Sequence, residues 1–253
     1  MKQNIAISLT DPLRLKEAQN LAAQLQLEFI SDPSSDTAKT YDFLLLFTTH
    51  FLGLQKITEN KATPFYIDFL SNKMRYRLTH ANLRNELIAK AIGYRPNTHP
   101  TIIDVTAGLG RDSLILATLG FNVSMIERSP IVHALLQDAL KRCSLPASKQ
   151  LHLIYANAID WLKKLSHDEF PDVIYMDPMF PERNKSALAK KEMVMLQLLL
   201  GKDEDTEQLF SISLSSIKRR LVVKRPRLAP NICNHAPNFT ITGKSNRFDI
   251  YLV

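Results

Sequence analysis

Hydrophobic positions along this chain follow two rhythms: short unbroken runs, and longer stretches in which apolar residues recur every three or four positions. The runs at 4–8, 27–30, 43–47, 64–70, 102–105, 122–126, 151–155, 173–176 and 221–223 predict strands. Helical spacing follows most of them. Leu15, Ala18, Leu21 and Leu25 form one stripe behind Asp11-Pro12, an N-cap followed by a first-turn proline. Val132, Leu135, Leu136 and Ala139 form another behind Ser129-Pro130, and Ala189, Met193, Leu196 and Leu200 a third, closed by Gly201. Further helices are predicted over 82–92 (capped by Gly93), around Trp161-Leu162-Leu165, and over 205–217. Alternating strand and helix implies a parallel sheet with helices on both faces. A closing hairpin, 239–242 with 248–253 across 243–247, adds one antiparallel strand. Residues 1–75 read as a small N-terminal α/β lobe without chemistry of its own, and 76–253 as the main Rossmann-like α/β domain. There are no internal repeats or low-complexity tracts.

The stretch Thr101–Arg111, TIIDVTAGLGR, organises the rest. Ile102, Ile103 and Val105 make a strand whose nearly continuous apolar character suits burial on both faces. Asp104 stands near its end. Gly108 and Gly110 break it, and Arg111–Ala117 reads as a helix ended by Gly120. Strand, glycine turn and helix place backbone N–H groups where a ligand meets a helix N-terminus. The chain has only seven glycines, so three in this short span carry weight. A dinucleotide fingerprint would require glycine at 113, where Ser113 stands, and a phosphate-cradling P-loop would require a following Gly-Lys-Ser/Thr, which is missing. Asp104 with two glycines looks more like the first motif of S-adenosyl-L-methionine-dependent methyltransferases.

In such a sheet, ligands sit beyond the C-terminal ends of the strands, near the switch in strand order. Glu127 ends the next strand, where a carboxylate accepts hydrogen bonds from both ribose hydroxyls of a nucleoside. Asn157 and Ala158 end the third, where an adenine edge would lie. Asp177-Pro178-Met179-Phe180 ends the fourth and resembles the Asp/Asn-Pro-Pro-Phe/Tyr motif of enzymes that methylate exocyclic amino nitrogens. An aromatic amine is a poor nucleophile because its lone pair is delocalised into the ring. Acceptors from Asp177 and a neighbouring carbonyl hold its N–H groups, Pro178 stiffens the turn, and Phe180 offers a face on which a base stacks. Basic residues follow: Arg183, Lys185, Lys190 and Lys191 after the turn, and Lys224, Arg225 and Arg227 at another strand end. Such groups contact phosphates.

Composition bounds the rest. The chain has 253 residues, 45% hydrophobic and 23% charged, with 32 Lys+Arg against 25 Asp+Glu. The basic balance points to a polyanionic partner. Cys143 and Cys233 are far apart and the histidines scattered, which predicts reduced thiols and no metal site. The first residues lack a signal-peptide core, and no apolar run reaches the roughly 18 residues of a membrane span. The expectation is a soluble, cytoplasmic protein.

Together DVTAGLGRD (104–112), IERSP (126–130), YMDPMFPERNKSALAKKEM (175–193), VVKRP (222–226) and RFDIY (247–251) resemble the bacterial ribosomal RNA small-subunit methyltransferase J family over about residues 75–253. The resemblance implies a guanine-N2 methyltransferase using S-adenosyl-L-methionine on small-subunit ribosomal RNA or the small subunit itself; the sequence leaves the oligomeric state open, a monomer being the default expectation. It places cofactor contacts on Arg111, Asp112, Glu127, Arg128, Asn157, Ala158 and Asp177. The chain departs from the family where a Gly-Gly-Gly-Arg-Gly stretch is usual and residues 80–85 read HANLRN. Two other readings suit the same residues. One is methylation of a DNA adenine or a protein glutamine; the other is an RNA-binding module with a degenerate cofactor site.

Overall fold

A computed structural model describes residues 4–59, 63–178 and 205–253 of the chain. They fall into two compact units. The first comprises residues up to 68 together with 130–142; the second comprises 69–129, the described residues from 143 to 178, and 205–253.

The first unit is built on a four-stranded sheet of β1 (Ile5–Leu9), β2 (Phe29–Ile30), β3 (Phe43–Phe47) and β4 (Leu52–Lys56), in the order β2-β1-β3-β4. β1 runs parallel to β2 and β3, and β4 antiparallel to β3. α1 (Leu15–Leu25) follows a 3-10 turn whose N-cap is Asp11, accepting from Leu13 N at 3.0 Å. Its buried residues are Ala18 and Ala22, while Leu15 stays exposed, so the leucine stripe is only partly the packing face. The predicted face of α5 (Pro130–Arg142) is buried at all four positions.

Here the strand expected over 64–70 is corrected. Only Phe65 pairs there, in a two-way bridge with Leu54, and Pro64 has no N–H to extend a ladder. The strand beside β3 is β4, whose glycine and polar residues hid it. Gly53 is needed in β4, because a Cβ there would meet Pro64 Cβ at 2.8 Å.

The second unit carries a seven-stranded sheet of β5 (Ile102–Asp104), β6 (Val123–Glu127), β7 (Leu151–Tyr155), β8 (Val173–Met176), β9 (Arg220–Pro226), β10 (Phe239–Thr242) and β11 (Asn246–Leu252). The order is β10-β11-β9-β8-β5-β6-β7, with β11 antiparallel to both its neighbours and every other pair parallel. This is the expected methyltransferase-type α/β sheet, mostly parallel with one reversed strand. Its core stacks Ile103, Ile126, Ile174, Met176, Leu221 and Val223 with Phe210 and Tyr251. The helices are α2 (Asn72–His80), α3 (Leu87–Ala91), α4 (Arg111–Thr118), α6 (Ala158–Leu162) and α7 (Thr206–Ser215).

The helix expected over 82–92 is shorter, α3 over Leu87–Ala91, and α2 is a separate helix ahead of it. α2 starts earlier, with Ser71 Oγ accepting from Met74 N. α2 ends at His80 with Ala81 extended, and Asn82 holds the turn ahead of α3, its side chain accepting from Arg84 N at 3.0 Å and Asn85 N at 2.9 Å, a local turn that competes with helix. The helix predicted behind residue 186 lies outside the described residues. Among the described residues no helix is long and apolar enough to cross a membrane.

β5 sits centrally, with β6 and β7 on one side and β8 and β9 on the other. The order therefore reverses between β5 and β8. A crevice at such a switch point is where α/β sheets bind ligands.

Candidate active site

β5 ends in Asp104, buried to 2% exposure. One oxygen of its carboxylate accepts from Thr106 N at 3.0 Å and the other from Ser113 Oγ at 2.5 Å. Burial pushes this carboxyl up to about 7; the two hydrogen bonds oppose the rise, and the charges of Asp112 and Asp177 add to it. Ser113, in the place of a third glycine, thus ties α4 back onto the strand. Between them Gly108 and Gly110 have φ of +52° and +67°, conformations that favour glycine. The turn closes through Gly110 N to Ala107 O at 2.8 Å, and Gly110 precedes the first turn of α4.

Glu127, at the end of β6, is also buried. Its oxygens accept separately from Gly108 N at 3.0 Å and Ser129 N at 2.7 Å. Burial raises this carboxyl, and the backbone donors of Ser129, Gly108 and Arg128, with the Arg128 charge, pull against it. Glu127 therefore shapes the glycine turn, its carboxylate held by backbone donors of Gly108, Ser129 and Arg128, as well as standing as an acceptor at the end of β6. Removing it should cost both roles. Glu127→Ala is expected to weaken cofactor binding by about 10- to 150-fold, the equivalent of about 1.5–3 kcal/mol, and to lower Tm, with RNA affinity unchanged. Calorimetric titration beside a melting curve checks this; unaltered cofactor affinity would remove Glu127 from the site.

The end of β8 meets the same turn. Asp177 N donates to Thr106 Oγ1 at 2.7 Å. Lys224, on β9, donates to Asp177 Oδ2 at 2.8 Å and to Asp112 Oδ2 at 2.7 Å. Tyr175 OH donates to the same Asp112 oxygen at 2.6 Å, and Arg77 lies 3.7 Å from the other. Burial alone would raise the Asp112 carboxyl, but Lys224, Tyr175 and Arg77 hold it below the usual range. Burial alone would lower Lys224, and the two carboxylates keep it well above the ordinary lysine value. Tyr175 is raised by burial and by the surrounding acids. Asp112 and Lys224 are sheltered, at 12% and 24% side-chain exposure, whereas Asp177 keeps 39%.

The structure thus brings Asp104, Gly108, Gly110, Asp112, Glu127 and Asp177 together, with Pro178 buried behind Asp177. Arg111 opens α4 on its exposed side, and Arg128 pairs with Asp205 at 2.5 Å. Asn157 caps α6, accepting from Ile159 N at 2.9 Å, and Ala158 is buried beside it. Two residues expected on the phosphate face sit elsewhere. Lys224 is held between carboxylates, and Arg225 is buried with its guanidinium donating to Pro230 O at 2.7 Å. Phe180, Arg183, Lys185, Lys190 and Lys191 lie outside the described residues. Thr106 and Tyr175 lie within the stretches 104–112 and 175–193 but carry no assigned role there, and Arg77, outside both, joins them at Asp112. Each is an ordinary residue in its own segment, and only the pairing of β5 with β8 and the position of α2 give it a role.

A family model described as "Putative SAM-dependent methyltransferase" matches residues 21–253. The chain is 44% identical to a ribosomal RNA small subunit methyltransferase J of Coxiella burnetii, covering all of this chain and 98% of that protein. It is 40% identical to the protein of the same name from Nitrosococcus oceani, covering 99% of each. A crystal structure of a SAM-dependent methyltransferase from Neisseria gonorrhoeae superposes with a TM-score of 0.74 at 32% identity, covering 98% of this chain and 95% of that one.

Proposed function

The chain belongs to the ribosomal RNA small subunit methyltransferase J family, and we propose that it transfers a methyl group from S-adenosyl-L-methionine to the exocyclic N2 amine of a guanine in small-subunit ribosomal RNA. The observation that carries the reading is Asp177. Its carboxylate stands at the strand-order switch, partly exposed, on a backbone tied to the glycine turn through Thr106. The cytoplasm, where small subunits are assembled, is the corresponding place of action.

The residues around the turn suit that cofactor. Its ribose diol, ammonium and sulfonium want acceptors and negative charge, and Asp104, Asp112, Glu127 and Asp177 converge there from four elements. The glycine turn supplies close backbone approach at the start of α4. When bound, the cofactor supplies a methyl group already activated on sulfur, so that C–N formation and C–S cleavage leave the electron pair on sulfur. The protein's own work is then placement and charge. Asp177 accepts an N–H of the target amine, orients its lone pair, and stabilises the positive charge that grows on nitrogen. The same carboxylate takes the proton that the nitrogen sheds. A guanine inside a helix must be extruded to reach it, and the Phe180 ring is the stacking face assigned to it from sequence.

Incubating the purified protein and labelled methyl donor with small subunits from cells lacking it, and in parallel with DNA and with protein extract, then mapping the modified sites by mass, tests the assignment. Label on the N2 of one guanine is expected. Label entering DNA adenine or a protein glutamine instead, or cofactor failing to bind at millimolar concentration, would overturn it. The basic run at 183–191 adds a second expectation. RNA affinity should fall steeply with salt, and replacing Lys190 and Lys191 by Ala should flatten the log–log slope by about 1 to 1.5. Equal slopes for parent and double variant would make them surface charges only.

A further inference from the structure

We propose that Lys224 is a positioning residue of the reaction: anchored on Asp112, its ammonium fixes one oxygen of Asp177 and keeps that carboxylate charged for the target amine. The proposal rests on the assignment of Asp177 to the amine. It replaces the phosphate-contact role that the sequence position of Lys224 suggests.

The geometry is asymmetric in an informative way. Asp112 is the sheltered partner, held by Lys224, Tyr175 and Arg77. Asp177 is the open one, and Lys224 reaches it from the neighbouring strand at 2.8 Å. An ammonium held by a buried anchor and aimed at an accessible carboxylate sets the orientation of that carboxylate. Thr106 completes the restraint by accepting the Asp177 N–H. Both ends of the residue are therefore held before substrate arrives, as electrostatic preorganisation requires.

Charge is the second half of the argument. Asp112 from α4 and Asp177 from the end of β8 both lie close enough to Asp104 of β5 for their charges to raise it, and Tyr175 sits among the three as a neutral phenol. Arg77 lies 3.7 Å from Asp112 and pairs with Glu86 at 3.5 Å. Among the described residues, Lys224 is the cation bonded to both Asp112 and Asp177. Like-charged carboxylates sharing a site push one of their number to protonate, and an interposed cation prevents it. A protonated Asp177 would lose the charge that stabilises the developing ammonium.

The test compares Lys224→Met, Lys224→Gln and Lys224→Arg with the parent. The readouts are single-turnover methyl transfer to small subunits from pH 5.5 to 9.5 at saturating cofactor, cofactor affinity, small-subunit affinity, Tm, and carboxyl titration followed by carbon NMR of labelled aspartates. The neutral variants should lose about tenfold or more of the rate near neutral pH, and the acid limb of the profile should move up by about one to three units. Rate should recover toward high pH. A carboxyl of the Asp112–Asp177 pair should titrate higher by a matching amount. Small-subunit affinity should hold, and Lys224→Arg should restore the parent profile. Should Lys224→Met not fold, Lys224→Gln carries the same charge test. A uniform rate loss with an unmoved profile, a loss that only follows cofactor affinity or Tm, or a fall in small-subunit affinity with changed salt slope would overturn the proposal. If the parent itself leaves small-subunit guanine unmethylated, the assignment of the reaction fails; the carboxyl titration, which needs no substrate, then decides the role of Lys224 alone.

Discussion

Asp177→Ala is expected to lower the single-turnover rate of methyl transfer by about 100-fold or more, the scale seen when a preorganised charge-stabilising group is removed from an active site. Asp177 lies at the end of β8 beside β5, its N–H fixed by Thr106 and its carboxylate by Lys224. Alanine keeps the backbone bond and deletes the acceptor. The N–H groups of the amine then have no partner as the nitrogen turns pyramidal, and Lys224 is left facing a nascent positive charge. Asp177→Asn should lose less, about tenfold, because its amide oxygen still accepts one N–H while the charge is gone. Small-subunit affinity should be unchanged in both, since phosphate contacts supply most of it, and cofactor affinity should fall far less than the rate. The measurement is a rapid single-turnover assay with cofactor and subunit affinities determined on the same preparations. Equal rates for parent and Asp177→Ala would take Asp177 out of the chemistry; a loss wholly explained by cofactor affinity would leave it a binding residue.

The motif residues around this site were legible because their chemistry and their chain position coincide. Asp104, Glu127 and Asp177 stand at strand ends, Gly108 turns the chain and Gly110 opens a helix, and a parallel sheet brings all such ends to one edge. The reversed closing strand was equally readable from the hairpin spacing. What escaped was set by contacts distant in sequence. Lys224 lies 47 residues from Asp177 and 112 from Asp112, and nothing local separates a lysine bound for an ion-pair network from one bound for phosphate. Arg225, its neighbour on the opposite face of β9, is buried for the same reason that strands alternate. The missed β4 shows a different limit. LGLQK carries few β-formers, and its register on β3 is what makes it a strand. Ser113 was read only as a missing glycine. Its bond to Asp104 shows that the position is used to lock the turn rather than to admit a pyrophosphate.

That lock leads to the second large effect, on stability. Asp104 is buried and its carboxyl is raised to about 7, whereas in the unfolded chain an aspartate titrates near 3.9. The folded state therefore holds the proton more tightly, and between those two values it has one more proton bound than the unfolded chain. Stability from this group is fully present below pH about 4 and is lost as pH rises through about 7, beyond which its dependence is flat. A shift of about three units corresponds to at most about 4 kcal/mol. Other carboxylates act in the opposite direction: Asp112, held below its usual range, loses its contribution as the solution is acidified. The clean comparison is thus parent against Asp104→Asn, which cannot titrate. Asparagine can keep its oxygen on the Thr106 N–H and turn its amide toward Ser113, whose hydroxyl then accepts. Urea denaturation at pH 5 and pH 8 should show the variant gaining on the parent by about 2–3 kcal/mol between the two, the rest of the window lying below pH 5. Asp104→Ala should instead be less stable than the parent at pH 5, by about 1–3 kcal/mol, because it leaves the Thr106 N–H and the Ser113 hydroxyl without their acceptor. A parent–asparagine difference that does not change with pH would mean that Asp104 stays ionised throughout, with the turn itself supplying enough hydrogen bonding to keep a buried charge.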